Sequence, residues 1–164
     1  MKKSLLIVSL LFASAFSIQA QNIQLNDMND NNVTNTTVNA WVDTSSLDPY
    51  EYDLNVINTT PNAVSVNCAR VLNDILPSSE SYFCWDQCYS SIVDLAQPIT
   101  INAFDTIVGF FHAYFNPYHQ VGISTIKFQF FNTANTNDTS NITIVLDSNP
   151  LGIKNIGLSA KNKI

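Results

Sequence analysis

An all-β architecture, a two-sheet antiparallel β-sandwich of seven or eight strands, is what this 164-residue chain predicts. Short runs of alternating apolar and polar residues recur at roughly ten-residue intervals from Thr36 to Asp147. Turn chemistry separates them at Asp48-Pro49, Thr60-Pro61-Asn62, Pro77-Ser78-Ser79, Gln97-Pro98, Asn116-Pro117 and Asn135-Thr136-Asn137-Asp138. No segment carries apolar spacing of full helix length.

The elements follow in chain order. Lys2 and Lys3 precede an apolar stretch over residues 5–18, and small Ala20 closes it. About 14 apolar residues fall short of the roughly 20 that cross a bilayer, so residues 1–20 read as a signal peptide and the chain as exported. No second apolar run of that length follows, so no membrane span is expected in the mature chain. Residues 21–35, rich in Asn and Asp, read as a flexible polar leader with too little apolar area to offset the entropy of ordering. Strands are expected over residues 38–43, 52–58, 64–72, 81–84, 99–103, 108–115, 123–132 and 141–147, within one domain spanning residues 36–147. Ile126, Phe128 and Phe130 mark one core face, and Ile142, Ile144 and Leu146 another. Residues 68–76 also fit a helical stripe, but Val64, Val66 and Cys68 alternate just before them, so a strand running into a bend is expected. Residues 148–164, with Pro150, Gly152 and Gly157, read as a linker or tail.

Charge excludes one class of partner. Loss of Lys2 and Lys3 with the signal leaves 5 basic against 13 acidic residues, a formal charge of −8 in place of −6. The remaining cations Arg70, Lys127, Lys154, Lys161 and Lys163 form no patch, and nucleic acid binding needs clustered cations against phosphate. An acidic balance keeps an exported protein soluble.

The most informative stretch is Phe83-Cys84-Trp85-Asp86-Gln87-Cys88-Tyr89. In an oxidising compartment Cys84 and Cys88 are expected to form a local disulfide, provided a turn brings their Cα atoms within about 6–7 Å. A redox role would call for C-x-x-C spacing at a helix N-terminus, and neither is present. Cys68 makes the count odd; it reads as a buried free thiol, with pairing to Cys84 or Cys88 the alternative. A metal centre built from the cysteines with His112 and His119 lacks a further ligand, so no metal and no cofactor are expected. His119 reads as a turn residue, and His112 as one that alternates with core positions. No two carboxylates are expected on a shared strand face, and no Gly-x-Ser-x-Gly or His-Glu-x-x-His motif occurs.

The order of features resembles an immunoglobulin-like module of secreted Bacteroidota proteins, commonly cargo of the type IX secretion system. The resemblance rests on Asn58-Thr59-Thr60 and Val64-Ser65-Val66, on Phe83-Cys84-Trp85 with Cys88-Tyr89, and on Ala113-Tyr114 with Pro117. It continues through Gly122-Ile123-Ser124-Thr125-Ile126-Lys127-Phe128 and Ile142-Thr143-Ile144. It covers roughly residues 53–147 and implies no catalytic residues; the sorting domain that usually follows is not in this sequence. It also implies O-glycosylation at Asp105-Thr106-Ile107.

The resulting expectation is an exported, non-catalytic accessory or interaction module. Its partner is expected to be a protein or glycan at the cell surface, met by Trp85, Tyr89, Tyr114 and Tyr118. The alternatives are a small adhesin or carbohydrate-binding module, and a thiol-redox or metal-binding protein using Cys84, Cys88, His112 and His119.

Overall fold

The computed structural model describes residues 21–149. The expected signal over residues 1–20 and the tail from residue 150 onward lie outside them.

Ten strands build two five-stranded sheets. They are β1 (Ile23–Asn26), β2 (Thr36–Trp41), β3 (Tyr50–Asn58), β4 (Val64–Asp74), β5 (Glu80–Trp85), β6 (Gln87–Tyr89), β7 (Ile99–Ile101), β8 (Thr106–Asn116), β9 (Ile123–Asn132) and β10 (Asn135–Asp147). The first sheet runs β1-β3-β8-β5-β6 and the second β2-β10-β9-β4-β7. All eight expected strands are present, and residues 68–74 continue β4 rather than forming a helix.

Period-two alternation places the core. Leu54 and Val56, Phe83 and Trp85, and Phe111, Ala113 and Phe115 are buried from the first sheet. They meet Ile126, Phe128, Phe130, Ile142, Ile144 and Leu146 from the second. Phe111 packs edge-on to Phe128 and Phe130, each at 5.0 Å, and Trp85 packs edge-on to Phe130 at 5.5 Å. Full burial of each such side chain contributes about 1.5–3 kcal/mol.

The structure corrects three expectations. Residues 21–35 are not a flexible leader. β1 pairs antiparallel with β3 along Ile23↔Asn58 to Asn26↔Asn55, and Ile23, Leu25 and Val33 are buried. The Asn/Asp-rich run builds the crossing between sheets: Asp27 Oδ1 accepts from the Asn29 and Asn31 amides at 2.8 and 2.9 Å. Asp30 and Asn35 take the left-handed backbone that Asn and Asp tolerate best after glycine. Asp138 of β10 then accepts from the Asn22 amide at 3.1 Å and side chain at 2.6 Å.

Second, the sandwich is not wholly antiparallel. Because the chain changes sheets between β1 and β2, β2 reaches the free side of β10 running parallel to it, from Thr36↔Ile142 to Trp41↔Asp147. Third, β10 begins at Asn135 rather than residue 141, with an irregular register between Asn135 and Thr139 that absorbs the Asn/Asp-rich turn. Ser148, expected in the linker, is buried, and its amide donates to Gly122 O at 2.9 Å. Asn58 closes β3, at the end of the strand expected over residues 52–58. It is fully buried: its amide group donates to the Asn62, Ile101 and Asn102 carbonyls, and its oxygen accepts from Thr60.

Arg70 is a buried cation. Nη1 donates to Ser81 O at 2.7 Å and Oγ at 2.8 Å, Nη2 to Ser91 O at 2.6 Å, and Nε to the exposed Asp94 at 2.8 Å. The planar guanidinium thereby ties β4, β5 and the segment after β6 together. Cys68 is buried and free, as expected.

Candidate functional site

The outer face of the first sheet follows from the same alternation that fills the core. With Tyr52, Leu54 and Val56 turned inward on β3, Glu51, Asp53 and Asn55 take the outer face. On β8, inward Phe111, Ala113 and Phe115 leave His112 and Tyr114 outside, and on β5 inward Phe83 and Trp85 leave Tyr82 and Cys84 outside. Strand register then assembles two cross-strand rows. One runs Glu51, Tyr114, Tyr82; the other runs Asp53, His112, Cys84, Cys88.

Side chains within the rows are in contact. Tyr82 and Tyr114 stack with ring centroids 4.7 Å apart, and His112 lies against Tyr114 at 6.1 Å. Tyr114 donates its hydroxyl to Glu51 Oε1 at 2.8 Å, and Tyr118 donates to Glu80 Oε2 at 2.8 Å. His112 Nδ1 lies 2.7 Å from Asp53 Oδ1 and 3.0 Å from Glu51 Oε1, and Nε2 lies 3.0 Å from Gly109 O.

A bulge in β8 sets that last contact. Register passes from Leu54↔Phe111 to Val56↔Ile107, so Asn55 alone faces Val108, Gly109 and Phe110. Gly109 has φ +71°, and a Cβ there would meet nothing within 4 Å, so backbone conformation rather than space calls for glycine. Val108 and Phe110 are exposed on the bulge, and beneath it Asn55 Oδ1 is buried without a hydrogen-bond partner.

Electrostatics follow the geometry. Partial burial disfavours the His112 imidazolium, but the hydrogen bonds to Asp53 and Gly109 and the charges of Asp53 and Glu51 outweigh it, raising its pKa above the ordinary 6.5. Burial, then the hydrogen bond to Glu51, pushes the Tyr114 phenol up to about 12. Tyr118 is raised by its hydrogen bond to Glu80 and by that carboxylate's charge.

The expected site residues divide. Cys84 and Cys88 are bonded to each other, directly opposite across the β5–β6 hairpin with Cα atoms 3.9 Å apart. Trp85 does not belong to the surface: it is fully buried, because alternation from Phe83 sends it inward, and its indole N–H has no partner. Tyr89 is half-buried; it stacks on Phe83 at 5.3 Å, and its hydroxyl accepts from the Gln97 amide at 2.8 Å. Tyr114 and Tyr118 do lie on the outer face.

His119 sits in the exposed turn after β8 with Nδ1 2.7 Å from Thr44 O, and it joins no cluster of metal-ligating groups among the described residues. The expectation of no paired carboxylates on one strand face is overturned by Glu51 and Asp53, two apart on β3. That strand starts at Tyr50, two residues before the expected position, which carries Glu51 onto the same face as Asp53. Thr106, at the start of β8, is exposed. A shallow cleft of ≈ 260 Å³ lies elsewhere, lined by residues including Trp41, Asp43, Asp48 and Tyr50, with Asp43 turned back onto Ser45. Among the described residues no helix is long and apolar enough to cross a membrane.

No family model and no curated protein matches the chain. Among solved structures, the N-terminal domain of PorA is similar, with a TM-score of 0.61 and 14% identity over 79% of this chain and 99% of that one. A PapD-like domain of human CEP192 superposes with a TM-score of 0.51 and 9% identity over 88% of this chain and 97% of that one. Identities this low speak to fold alone, and the fold they share with this chain is the immunoglobulin-like β-sandwich.

Proposed function

We propose that this chain is an exported, non-catalytic immunoglobulin-like module that binds a protein or glycan at the cell surface through the outer face of the first sheet. The observation that carries this reading is the Tyr82–Tyr114 stack, with Tyr118 beside it and Glu51, Asp53 and Glu80 as polar acceptors around the rings. Aromatic rings with polar rims combine large contact area with hydrogen bonding at low entropic cost. A non-catalytic role is supported by the chemistry of the sulfurs: two are spent on each other, and burial holds the third as a neutral thiol. The disulfide, together with the amino-terminal sequence pattern, supports export. The resemblance to secreted Bacteroidota modules supports a cell-surface setting.

The test is decoration of intact cells of the source organism, and of a glycan array, by purified labelled protein. Wild-type protein is expected to bind, and a Tyr82→Ala/Tyr114→Ala variant with unchanged circular dichroism is expected to lose at least about tenfold in affinity, as for central aromatic contacts. Failure of wild-type protein to bind either target, or equal binding by the variant, rejects the reading.

A further inference from the structure

We propose that Glu51, Asp53 and His112 form a binding site for one divalent transition-metal ion, with Zn²⁺ as the reference ion, on the solvent face of the β3–β8 pair. The site goes beyond the binding reading above and does not depend on it.

The first support is the donor set. One imidazole nitrogen and two carboxylate oxygens lie within 4.8 Å of one another, contributed by two adjacent strands. Zinc bonds of about 2.0–2.2 Å at tetrahedral to octahedral angles place neighbouring donors about 2.9–3.4 Å apart. The 3.0 Å separation from Nδ1 to Glu51 lies in that range, and the 2.7 Å one to Asp53 reaches it when that carboxylate relaxes outward by a few tenths of an ångström. Imidazole with carboxylates suits zinc; the same donors bind copper at least as tightly and manganese more weakly.

The second support is independent of the donors themselves: the groups behind them are arranged as ligand supports. A ligating histidine characteristically donates its other ring N–H to a carbonyl, which fixes the tautomer and aims the free lone pair. Here Nε2 is paired with Gly109 O at 3.0 Å, a carbonyl supplied by the left-handed glycine of the β8 bulge. That pairing leaves Nδ1 facing the two carboxylates. The Tyr114 hydroxyl, stacked on Tyr82, holds Glu51 Oε1 in the same way.

A third observation lies one step along the same strand face. Asn55 is nine-tenths buried under the bulge, and its Oδ1 has no hydrogen-bond partner. An orphaned amide oxygen of this kind is costly. Its place two residues from Asp53 on that face marks an unsatisfied acceptor next to the donor set. Charge points the same way: once the ion displaces the Nδ1 proton, two carboxylates and a neutral imidazole offset a divalent cation. Three protein donors leave at least one coordination position open to solvent.

The experiment is Zn²⁺ titration of tag-free purified protein by calorimetry, with zinc-edge X-ray absorption on the loaded sample. Uptake is expected to approach one equivalent with a Kd on the order of 10 µM. His112→Gln is expected to weaken it by at least about tenfold, whereas His119→Gln leaves it unchanged. The absorption spectrum is expected to show one imidazole nitrogen with oxygen neighbours and no sulfur. Wild-type affinity weaker than about 1 mM overturns the site, leaving a hydrogen-bonded histidine between two carboxylates. So does unchanged binding by His112→Gln, or sulfur in the zinc shell. Should His112→Gln fail to fold, the wild-type spectrum alone decides the ligands. Loss of cell or glycan binding with zinc uptake intact would reject the functional reading and not this site.

Discussion

Cys68 has its thiol enclosed in the core, where burial pushes its pKa well above the ordinary 9.0. The unfolded chain releases that proton near pH 9, whereas the folded protein holds it, so above this pH the unfolded state binds fewer protons and stability falls. The contribution is therefore complete below pH 9 and is lost progressively as pH rises toward the folded value. Between about pH 9 and 10.5, the unfolding free energy of the native protein, from denaturant titration, is expected to drop by up to about 1.4 kcal/mol per pH unit more than that of Cys68→Val. An equal drop in both proteins would show that the thiol titrates freely in the folded state. Asn58 and Arg70 make a related point about single residues. Each is a buried polar group fully engaged by partners from other segments of the chain.

At the scale of elements, the β5–β6 hairpin shows what spacing can and cannot convey. A Cys-x-x-x-Cys pattern announces a local bridge. Only a hairpin that turns at Asp86, in left-handed backbone with φ 64°, sets the two residues directly opposite one another. β6 has three residues and is not among the expected strands, since a run so short carries no readable alternation. Closing so small a loop contributes about 2 kcal/mol in the chain-entropy model. A Cys84→Ser/Cys88→Ser variant is expected to lose about that much stability, with amide exchange accelerated in β6 and little changed in β5, which stays paired to β8. Loss of protection throughout the first sheet would mean that the bridge supports more than its hairpin. The acidic pair on β3 was hidden for a different reason: strand ends are the least legible part of a pattern, and a two-residue error removed Glu51 from the face it shares with Asp53.

For the whole molecule, the amino-terminal segment is part of the sandwich. β1 covers the open edge of β3, and Leu25 is fully buried between the sheets. Leu25→Ala is expected to cost about 2–5 kcal/mol, and removal of residues 21–35 to abolish cooperative unfolding. Limited proteolysis supplies a direct check. The native protein is expected to resist cleavage across residues 21–35 while Leu25→Ala is cut there, and rapid cutting of the native protein would restore the picture of a loose leader.

Sequence alone determined the two-sheet β architecture, the order of eight strands and the aromatic core, because period-two burial is written locally into each strand. It also marked Cys84 and Cys88 as partners and Cys68 as buried. Tertiary structure decided what depends on which strands become neighbours: the parallel seating of β2 and the ordering of an Asn/Asp-rich crossing. It alone brought Glu51 and Asp53 against His112, residues about 60 positions apart in the chain. Cross-strand register has no local signal, and the outer face of the first sheet is made of register.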